Sequence, residues 1–297
     1  MPEGSPPDSR GVVYVATGAR YIAEARESAA SVRDAMPGVP ICLITDAEVD
    51  RGPSFDAVVL SREGGGTKRF KQNLHLSPYD RTLFLDTDTY VTRDVSDLFT
   101  LLDRFEIAAN QISSDYNATR LGVPSAFPEM NSGVIAYRKT PAVLALFDEW
   151  RRLFAAFEQD HGWTWDQLSF RKAVYESDAR VASIPIEYNF MPYFPAYLMN
   201  EAKILHGRTS ERMKRIASEV NETTGSRVFF PRIGVILWGG RMDAGNAVDF
   251  WTRASRFSLY HVANRGLRRL GFKSDALLHA LGRARAKIGG GGAANRT

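Results

Sequence analysis

Short apolar runs alternate along the chain with longer segments whose apolar residues fall at helical spacing. Gly11 to Ala16 is such a run and predicts a strand that leads into a turn at Thr17-Gly18. From Tyr21 to Met36 the apolar residues Ile22, Ala25, Ala29, Val32 and Met36 share one helical face, and Pro37-Gly38 ends the segment. Val39 to Thr45, ending at Asp46, and Ala57 to Leu60 predict two more strands. Gly64-Gly65-Gly66 then links to a helical segment, Lys68 to Leu76. Leu83-Phe84-Leu85 is apolar on both faces, so it predicts a short buried strand. Asp94 to Phe99 carries helix-start chemistry, Glu106 to Asn110 predicts a strand, and Gln111 to Met130, polar and broken by Pro124 and Pro128, predicts a loop-rich insertion. Ser132 to Arg138 predicts a strand, Pro141 to Phe157 an amphipathic helix with proline at its start, and Trp165 to Glu176 a further helix. Arg180 to Ile184 and Lys203 to Leu205, the latter ending at His206, predict strands, and Ser210 to Val220 a helix. The segments Val248 to Leu270 and Ser274 to Lys287 predict helices rich in arginine, followed by a glycine tail. This strand–helix alternation predicts an α/β fold with a doubly wound, mostly parallel sheet flanked by helices. The divisions expected are an N-terminal lead over 1–10, a catalytic-size domain over 11–246, a basic helical extension over 247–288 and a tail over 289–297.

The strand at Leu83-Phe84-Leu85 ends abruptly in Asp86-Thr87-Asp88. A buried strand cannot hold unpartnered carboxylates in its interior, so the two acids belong at its carboxyl end, where open α/β sheets place ligands. Two carboxylates so close repel unless a cation lies between them. A hard divalent ion such as Mg²⁺ or Mn²⁺ fits, and would bring a phosphate-bearing ligand with it. Acids that merely cap a turn are the plainer alternative.

Composition narrows the setting. The 297 residues are 44% hydrophobic and 24% charged, which is ordinary for a soluble enzyme. Net charge is +4, and much of the excess sits from Arg253 onward, in Arg256, Arg265, Arg268, Arg269, Lys273, Arg283, Arg285 and Lys287. Nucleic acid is therefore not expected as a partner of the body of the protein. The single cysteine, Cys42, lies in an apolar run and reads as a buried hydrophobe, so a disulfide framework is excluded and a reducing compartment expected. The Pro-rich start has no signal-peptide core and no segment approaches the length of a membrane span, so a cytoplasmic location, with or without peripheral membrane contact, is the expectation.

Ser77-Pro78-Tyr79-Asp80-Arg81-Thr82-Leu83-Phe84-Leu85-Asp86-Thr87-Asp88-Thr89 resembles the D-x-D region of GT-A fold glycosyltransferases, in particular the glycogenin-like and bacterial lipooligosaccharide galactosyltransferase-like enzymes. Further landmarks follow in that family's order. Tyr14-Val15-Ala16-Thr17-Gly18 resembles its first strand and nucleotide-binding turn, Asn131-Ser132-Gly133-Val134 its Asn-x-Gly-Val segment, Asp166-Gln167 its Asp-Gln pair, and Ile204-Leu205-His206-Gly207 its late histidine. Together they span Val12 to Arg208.

The resemblance implies a GT-A-like fold and metal-dependent sugar transfer from a nucleotide-diphosphate sugar, UDP-linked by default, to a glycan, lipid-linked or protein hydroxyl, with retention. It implies Asp86, Asp88 and His206 as ligands to Mn²⁺ or Mg²⁺. It places Thr17, Gly18 and Tyr21 on the base and ribose, with Asp46 a weaker candidate, although Tyr21 reads equally well as a core aromatic. Thr87 and Arg208 are implied donor contacts, with Lys214 as a competitor to Arg208. Lys71, with Lys68 and Arg69 as competitors, would face the donor's phosphates and sugar. Asn131, Asp166 and Gln167 would line the sugar pocket, although Asp166 also fits a helix cap. Asp115 resembles a sugar-binding acid. The Gly-x-x-Lys-Pro-Trp sequence that often follows the family's histidine is absent, which leaves the diphosphate clamp open.

Two readings compete. Haloacid-dehalogenase-type phosphatases also carry an apolar run followed by Asp-x-Asp, but they expect Thr or Val two residues after the second acid, where this chain has Tyr90, and they place the motif near the domain start. A noncatalytic nucleotide-sugar binder would have little need of metal ligands together with sugar-pocket acids. The aromatic and basic sequence after Val248 fits either an anionic membrane bearing the acceptor or packing on the protein body, and a homo-oligomer stays open.

Overall fold

The computed structural model describes residues 8–61, 73–112, 121–231 and 234–237. The chain divides into two units, Met1–Val235 and Ile236–Thr297. The described elements belong to the first unit, apart from the last two residues of its final strand. Lys68, Arg69, Lys71 and Asp115, together with the helices expected after Val248, lie outside the described residues.

Seven strands form the central sheet. They are β1 (Arg10–Val15), β2 (Ile41–Thr45), β3 (Ala57–Leu60), β4 (Arg81–Leu85), β6 (Ile107–Ile112), β7 (Glu129–Arg138) and β8 (Val181–Ile184), in the order β3-β2-β1-β4-β7-β6-β8. Every neighbouring pair is parallel except the two made by β7, which runs against both β4 and β6. This is the doubly wound, mostly parallel arrangement the sequence predicts. Because β1, β2 and β4 run the same way, their carboxyl ends share one edge of the sheet. Antiparallel β7 brings its amino-terminal residues to that same edge.

Both faces of the sheet are buried, as a parallel sheet requires. Val12, Tyr14, Leu43 and Leu83 face α1 (Gly18–Ala35), packing with its Ala25, Ala29 and Val32. The alternate residues Val13, Cys42, Ile44 and Phe84 form the opposite core with Phe147, Trp150 and Phe170. Cys42 is the buried hydrophobe expected, and burial pushes its thiol up to about 12. After α2 (Asp97–Leu101), the long helix α3 (Pro141–His161) supplies Val143, Leu146, Phe147, Trp150, Leu153 and Phe154, all on one face. Its start is set by Pro141 and by Thr140, whose hydroxyl accepts from the Val143 N–H. Its end is set by Gly162, with φ at 65°. Each large apolar side chain buried there contributes roughly 1.5–3 kcal/mol. Helix α4 (Gln167–Glu176) packs on α3 through a tilted Trp150–Phe170 ring pair, with centroids 4.7 Å apart.

A second, smaller layer completes the site edge. Strand β5 (Thr89–Val91) pairs antiparallel with β10 (Ile204–His206), and β9 (Ala196–Leu198) with β11 (Arg227–Phe230). Helix α5 (Ser210–Val220) covers them, adding Met213, Ile216 and Val220 to a third core with Phe190, Leu205 and Phe229. The last described strand, β12, is Gly234–Leu237.

Several elements differ from the sequence reading. Strand β4 begins two residues earlier, at Arg81, and β7 begins at Glu129, so the ends of the expected insertion, Gln111-Ile112 and Glu129-Met130, pair with each other. Polar residues there lie within a ladder because side-chain partners satisfy them. Strands β5 and β9 are only three residues long, while β11 and β12 are four-residue, largely apolar runs, as long as β3, that the sequence reading did not assign.

Candidate active site

The site is built where β4 ends. After Leu85 the chain turns through Asp86-Thr87-Asp88, with the Thr89 N–H and hydroxyl both donating to the Asp86 carbonyl, at 3.2 and 2.8 Å. A buried hydroxyl chain supports this turn: Tyr14 meets Ser28 at 2.8 Å, and Ser28 meets Thr89 at 2.8 Å. Strand β5 follows at once and pairs with β10 so that Thr89 stands opposite His206. The ladder continues past the strand end, since the Gly207 N–H donates to the Asp88 carbonyl at 2.7 Å. This backbone pairing, between positions more than a hundred residues apart, brings His206 to the two acids.

His206 Nε2 stands 3.6 Å from Asp86 Oδ2 and 3.4 Å from Asp88 Oδ1. One ligand atom from each of the three residues lies within 4.8 Å of the others. Neighbouring ligands around a small octahedral cation at 2.0–2.1 Å lie about 3 Å apart, so the two spacings from His206 need only a slight contraction to suit one. Two carboxylate oxygens and an imidazole nitrogen suit Mg²⁺ or Mn²⁺ in chemistry as well as spacing. Burial alone would lower the His206 pKa, but the hydrogen bonds and charges of Asp86 and Asp88 outweigh it and push it up to about 9. Burial and the nearby Asp86 charge both raise Asp88, yet His206 and Arg208 win and hold its carboxyl below the usual range. Concentrated negative charge thus seeks a cation, and a proton on His206 takes that place in the metal-free protein.

On the other side of His206 the sugar-pocket candidates gather. His206 Nδ1 lies 3.0 Å from Asn189 Oδ1, and Asn189 donates to Asn131 Oδ1 at 2.8 Å. Asn131 donates to Gln167 Oε1 at 2.6 Å, and Gln167 donates to Glu129 at 2.8 Å. Asp166 is buried and accepts from the Ser132 hydroxyl at 3.1 Å, while its side chain makes no capping bond to α4. The capping alternative for Asp166 is therefore not what is observed. Its carboxylate turns inward to β7.

The remaining candidates flank this core. Thr17 and Gly18 sit at the carboxyl end of β1, where φ of 77° at Gly18 turns the chain into α1. Thr87 donates to Glu24 at 2.6 Å, and Arg208 donates to the same carboxylate at 2.9 and 3.2 Å. The Arg208 guanidinium also lies 5.7 Å from the Tyr21 ring centroid and 4.0 Å from Asp88 Oδ2. Tyr21 is half-buried, packing on the α1-side core as the core-aromatic reading expects, with its ring beside Arg208. Asp46 is exposed past the end of β2, and Lys214 is exposed on α5.

Residues 81–218 match the family described as nucleotide-diphospho-sugar transferase. Over these residues, just under half of the chain, the sequence is similar to nucleotide-diphospho-sugar transferases. The transferase segment runs from the first residue of β4 to within two residues of the end of α5, and it contains Asp86, Asp88, Asn131, Asp166, Gln167, His206 and Arg208. Similar solved structures include the galactosyltransferase LgtC in complex with donor and acceptor sugar analogs, 14% identical over 71% of this chain and 96% of that one, with a TM-score of 0.49. The apo form of the glycosyltransferase GlyE of Streptococcus pneumoniae TIGR4 is 16% identical over 84% of this chain and 63% of that one, with a TM-score of 0.49. Mouse xyloside xylosyltransferase 1 in its apo form is 15% identical over 67% and 97%, with a TM-score of 0.46. No curated protein matches the chain. The transferase is a glycosyltransferase, an enzyme that moves a sugar from a nucleotide-diphosphate donor.

Three site residues escape a reading of motifs. Glu24 lies mid-face on α1, Asn189 follows a single-turn helix, and Glu129 ends an apparent loop. None carries a local signal, because each is identified only by what it touches across the fold.

Proposed function

We infer that this glycosyltransferase is metal-dependent, takes a UDP-linked sugar and transfers it to a hydroxyl acceptor with retention of the anomeric configuration. The observation that carries this reading is the convergence of Asp86, Asp88 and His206 beside Asn131 and Gln167 at one sheet edge. Asp86, Asp88 and His206 would hold Mn²⁺ or Mg²⁺, which when bound supplies Lewis-acid stabilisation of the charge growing on the departing diphosphate.

The chain's own residues do the rest. Thr17, Gly18 and Tyr21 receive the base and ribose at the carboxyl end of β1. Arg208, poised between Glu24 and Asp88, offers a guanidinium fork to phosphate oxygens in place of the absent Lys-Pro-Trp sequence. Asn131 and Asp166 orient the sugar hydroxyls. Gln167 is a neutral amide, with one end bonded to Asn131 and the other to Glu129, so it serves as a fixed dipole beside the sugar and not as a nucleophile. Because an amide is neither a strong nucleophile nor a strong base, this reading favours a front-face transfer in which the leaving phosphate oxygen takes the acceptor's proton. Transfer on that face would retain the anomeric configuration.

The test is a panel of nucleotide sugars incubated with Mn²⁺, with EDTA as the control. The expected result is slow donor hydrolysis, stopped by EDTA and by Asp86→Asn, and a product whose anomeric proton matches the donor's configuration by NMR. Turnover unaffected by EDTA would remove the metal reading, and an inverted product would remove retention.

A further inference from the structure

The amides between His206 and Glu129 can point only one way. The Gly133 N–H donates to Asn131 Oδ1 at 2.9 Å, and a backbone N–H can only donate, so this oxygen is correctly placed. The opposite end of Asn131 is then its NH₂ group, and Gln167 must accept from it. The Gln167 NH₂ group is turned to Glu129, whose carboxylate accepts. In the other direction, Asn131 Oδ1 takes its second hydrogen from Asn189, which turns Asn189 Oδ1 toward His206. His206 Nδ1 must therefore carry the hydrogen. In the neutral ring this leaves the lone pair on Nε2, the atom facing Asp86 and Asp88. The relay is dry: Asn189 is fully buried, and Asn131, Gln167 and Glu129 are each 5% exposed. Reversing a bond in such a setting leaves two like groups facing each other with no water to rescue them.

We propose that Asn189, Asn131, Gln167 and Glu129 form a single polarised relay that fixes the His206 tautomer, so that the metal ligand and the sugar-pocket amide are set as one unit. Glu129 and Asn189 are positioning residues. Glu129 is the terminal acceptor, and Asn189 passes the orientation to the ring. This rests on the reading of Asp86, Asp88 and His206 as a metal site, and it adds the element that selects which ring nitrogen is offered. Partners of this kind tune metal affinity by about 10–100-fold when removed.

The experiment uses the full chain. Mn²⁺ affinity is measured by electron paramagnetic resonance of the free ion, and the ring proton is located by long-range ¹H–¹⁵N NMR of the metal-free protein at alkaline pH, where the ring is neutral. Wild type should carry its proton on Nδ1. Asn189→Leu should weaken Mn²⁺ by about 10–100-fold and release the tautomer. Asn189→Asp still accepts from Nδ1–H but can no longer donate to Asn131 Oδ1, so it should keep the ring proton on Nδ1 while recovering the Mn²⁺ affinity only in part; a merely structural role would not separate the two readouts in this way. Glu129→Leu should also loosen Mn²⁺ binding, acting through Gln167, which donates to it. Ser169→Ala, an equally buried change outside the relay, should leave both readouts alone. A wild-type proton on Nε2, or a folded Asn189→Leu protein with unchanged affinity and tautomer, would overturn the relay. Failure of wild type to bind Mn²⁺ would instead sink the metal assignment, and the ring proton would then decide the relay alone.

Discussion

A Cβ placed on Gly133 would stand 2.1 Å from Cε1 of His206, well inside any tolerable contact. The imidazole thus lies close against the backbone of β7, and the glycine is there for close approach, since its backbone conformation asks for nothing unusual. Gly133→Ala should push the ring away from Asp86 and Asp88 without touching a ligand. The expected outcome is at least a tenfold loss of Mn²⁺ affinity, on the order of what mispositioned ligands cost, with the protein still folded by circular dichroism. Calorimetric titration with Mn²⁺ checks it, and unchanged affinity would show that the ring is free to move.

His206 also gives the metal-free protein a defined response to pH. Its pKa is about 9 in the folded protein against an ordinary 6.5, so the folded state holds a proton that the unfolded chain releases between those values. The stabilisation is complete below pH 6.5 and is lost as the pH rises through 9. Asp88, whose carboxyl is held low, contributes its own share only in the acid range and does not alter this window. Thermal melting of the metal-free protein should therefore fall between pH 6.5 and 9, and the fall should be absent in His206→Ala. Added Mg²⁺ should reverse the trend, because the cation must displace that proton and binds better as it leaves.

How much of this could be read from the chain depended on how local each signal was. The pair Asp86 and Asp88 was legible because burial forbids acids within an apolar strand, and their place at the strand end follows from that alone. Strands β1, β2 and β4 and the helices α1, α3, α4 and α5 were legible from periodicity. Asn131 fell within one residue of an expected loop, yet it belongs to β7, because its partners Asn189, Gln167 and the Gly133 N–H make a polar residue affordable inside the sheet. Glu24 and Glu129 could not be read at all. An acid on a helix face, and another at a loop end, look like solvated charges until the fold brings Arg208 to one and Gln167 to the other.

Arg227 is fully buried on β11 and, among the described residues, pairs with no carboxylate at hydrogen-bond distance. It donates instead to the carbonyls of Val220 at 2.9 Å, Gly225 at 3.0 Å and Asn200 at 2.6 Å. It ties the end of α5 to the segments around β9 and β11. Arg227→Ala would leave a cavity and several carbonyls without donors, and should cost roughly 3 kcal/mol or more. Urea unfolding followed by tryptophan fluorescence measures this. A loss within about 0.5 kcal/mol, the level of ordinary surface changes, would mean that water replaces the guanidinium without penalty.

Arg208 and Glu24 make the donor-binding claim separable from the metal claim. Glu24 holds the guanidinium through two contacts and also accepts from Thr87, so the arginine is preorganised beside Asp88 at no cost when substrate arrives. Arg208→Ala removes a charge-assisted partner for phosphate oxygens, each such bond being worth about 1.5–3 kcal/mol, while leaving the three ligands in place. Donor KM should rise by about tenfold or more, with Mn²⁺ affinity in the absence of donor changing far less. Glu24→Gln keeps an acceptor but loses the charge. It should loosen the hold on Arg208 and raise donor KM by a smaller factor, and the effect should vanish in the Arg208→Ala background. Steady-state kinetics on the two single variants and the double variant closes the cycle. Fully additive effects would mean that Glu24 acts on the donor by a route other than Arg208.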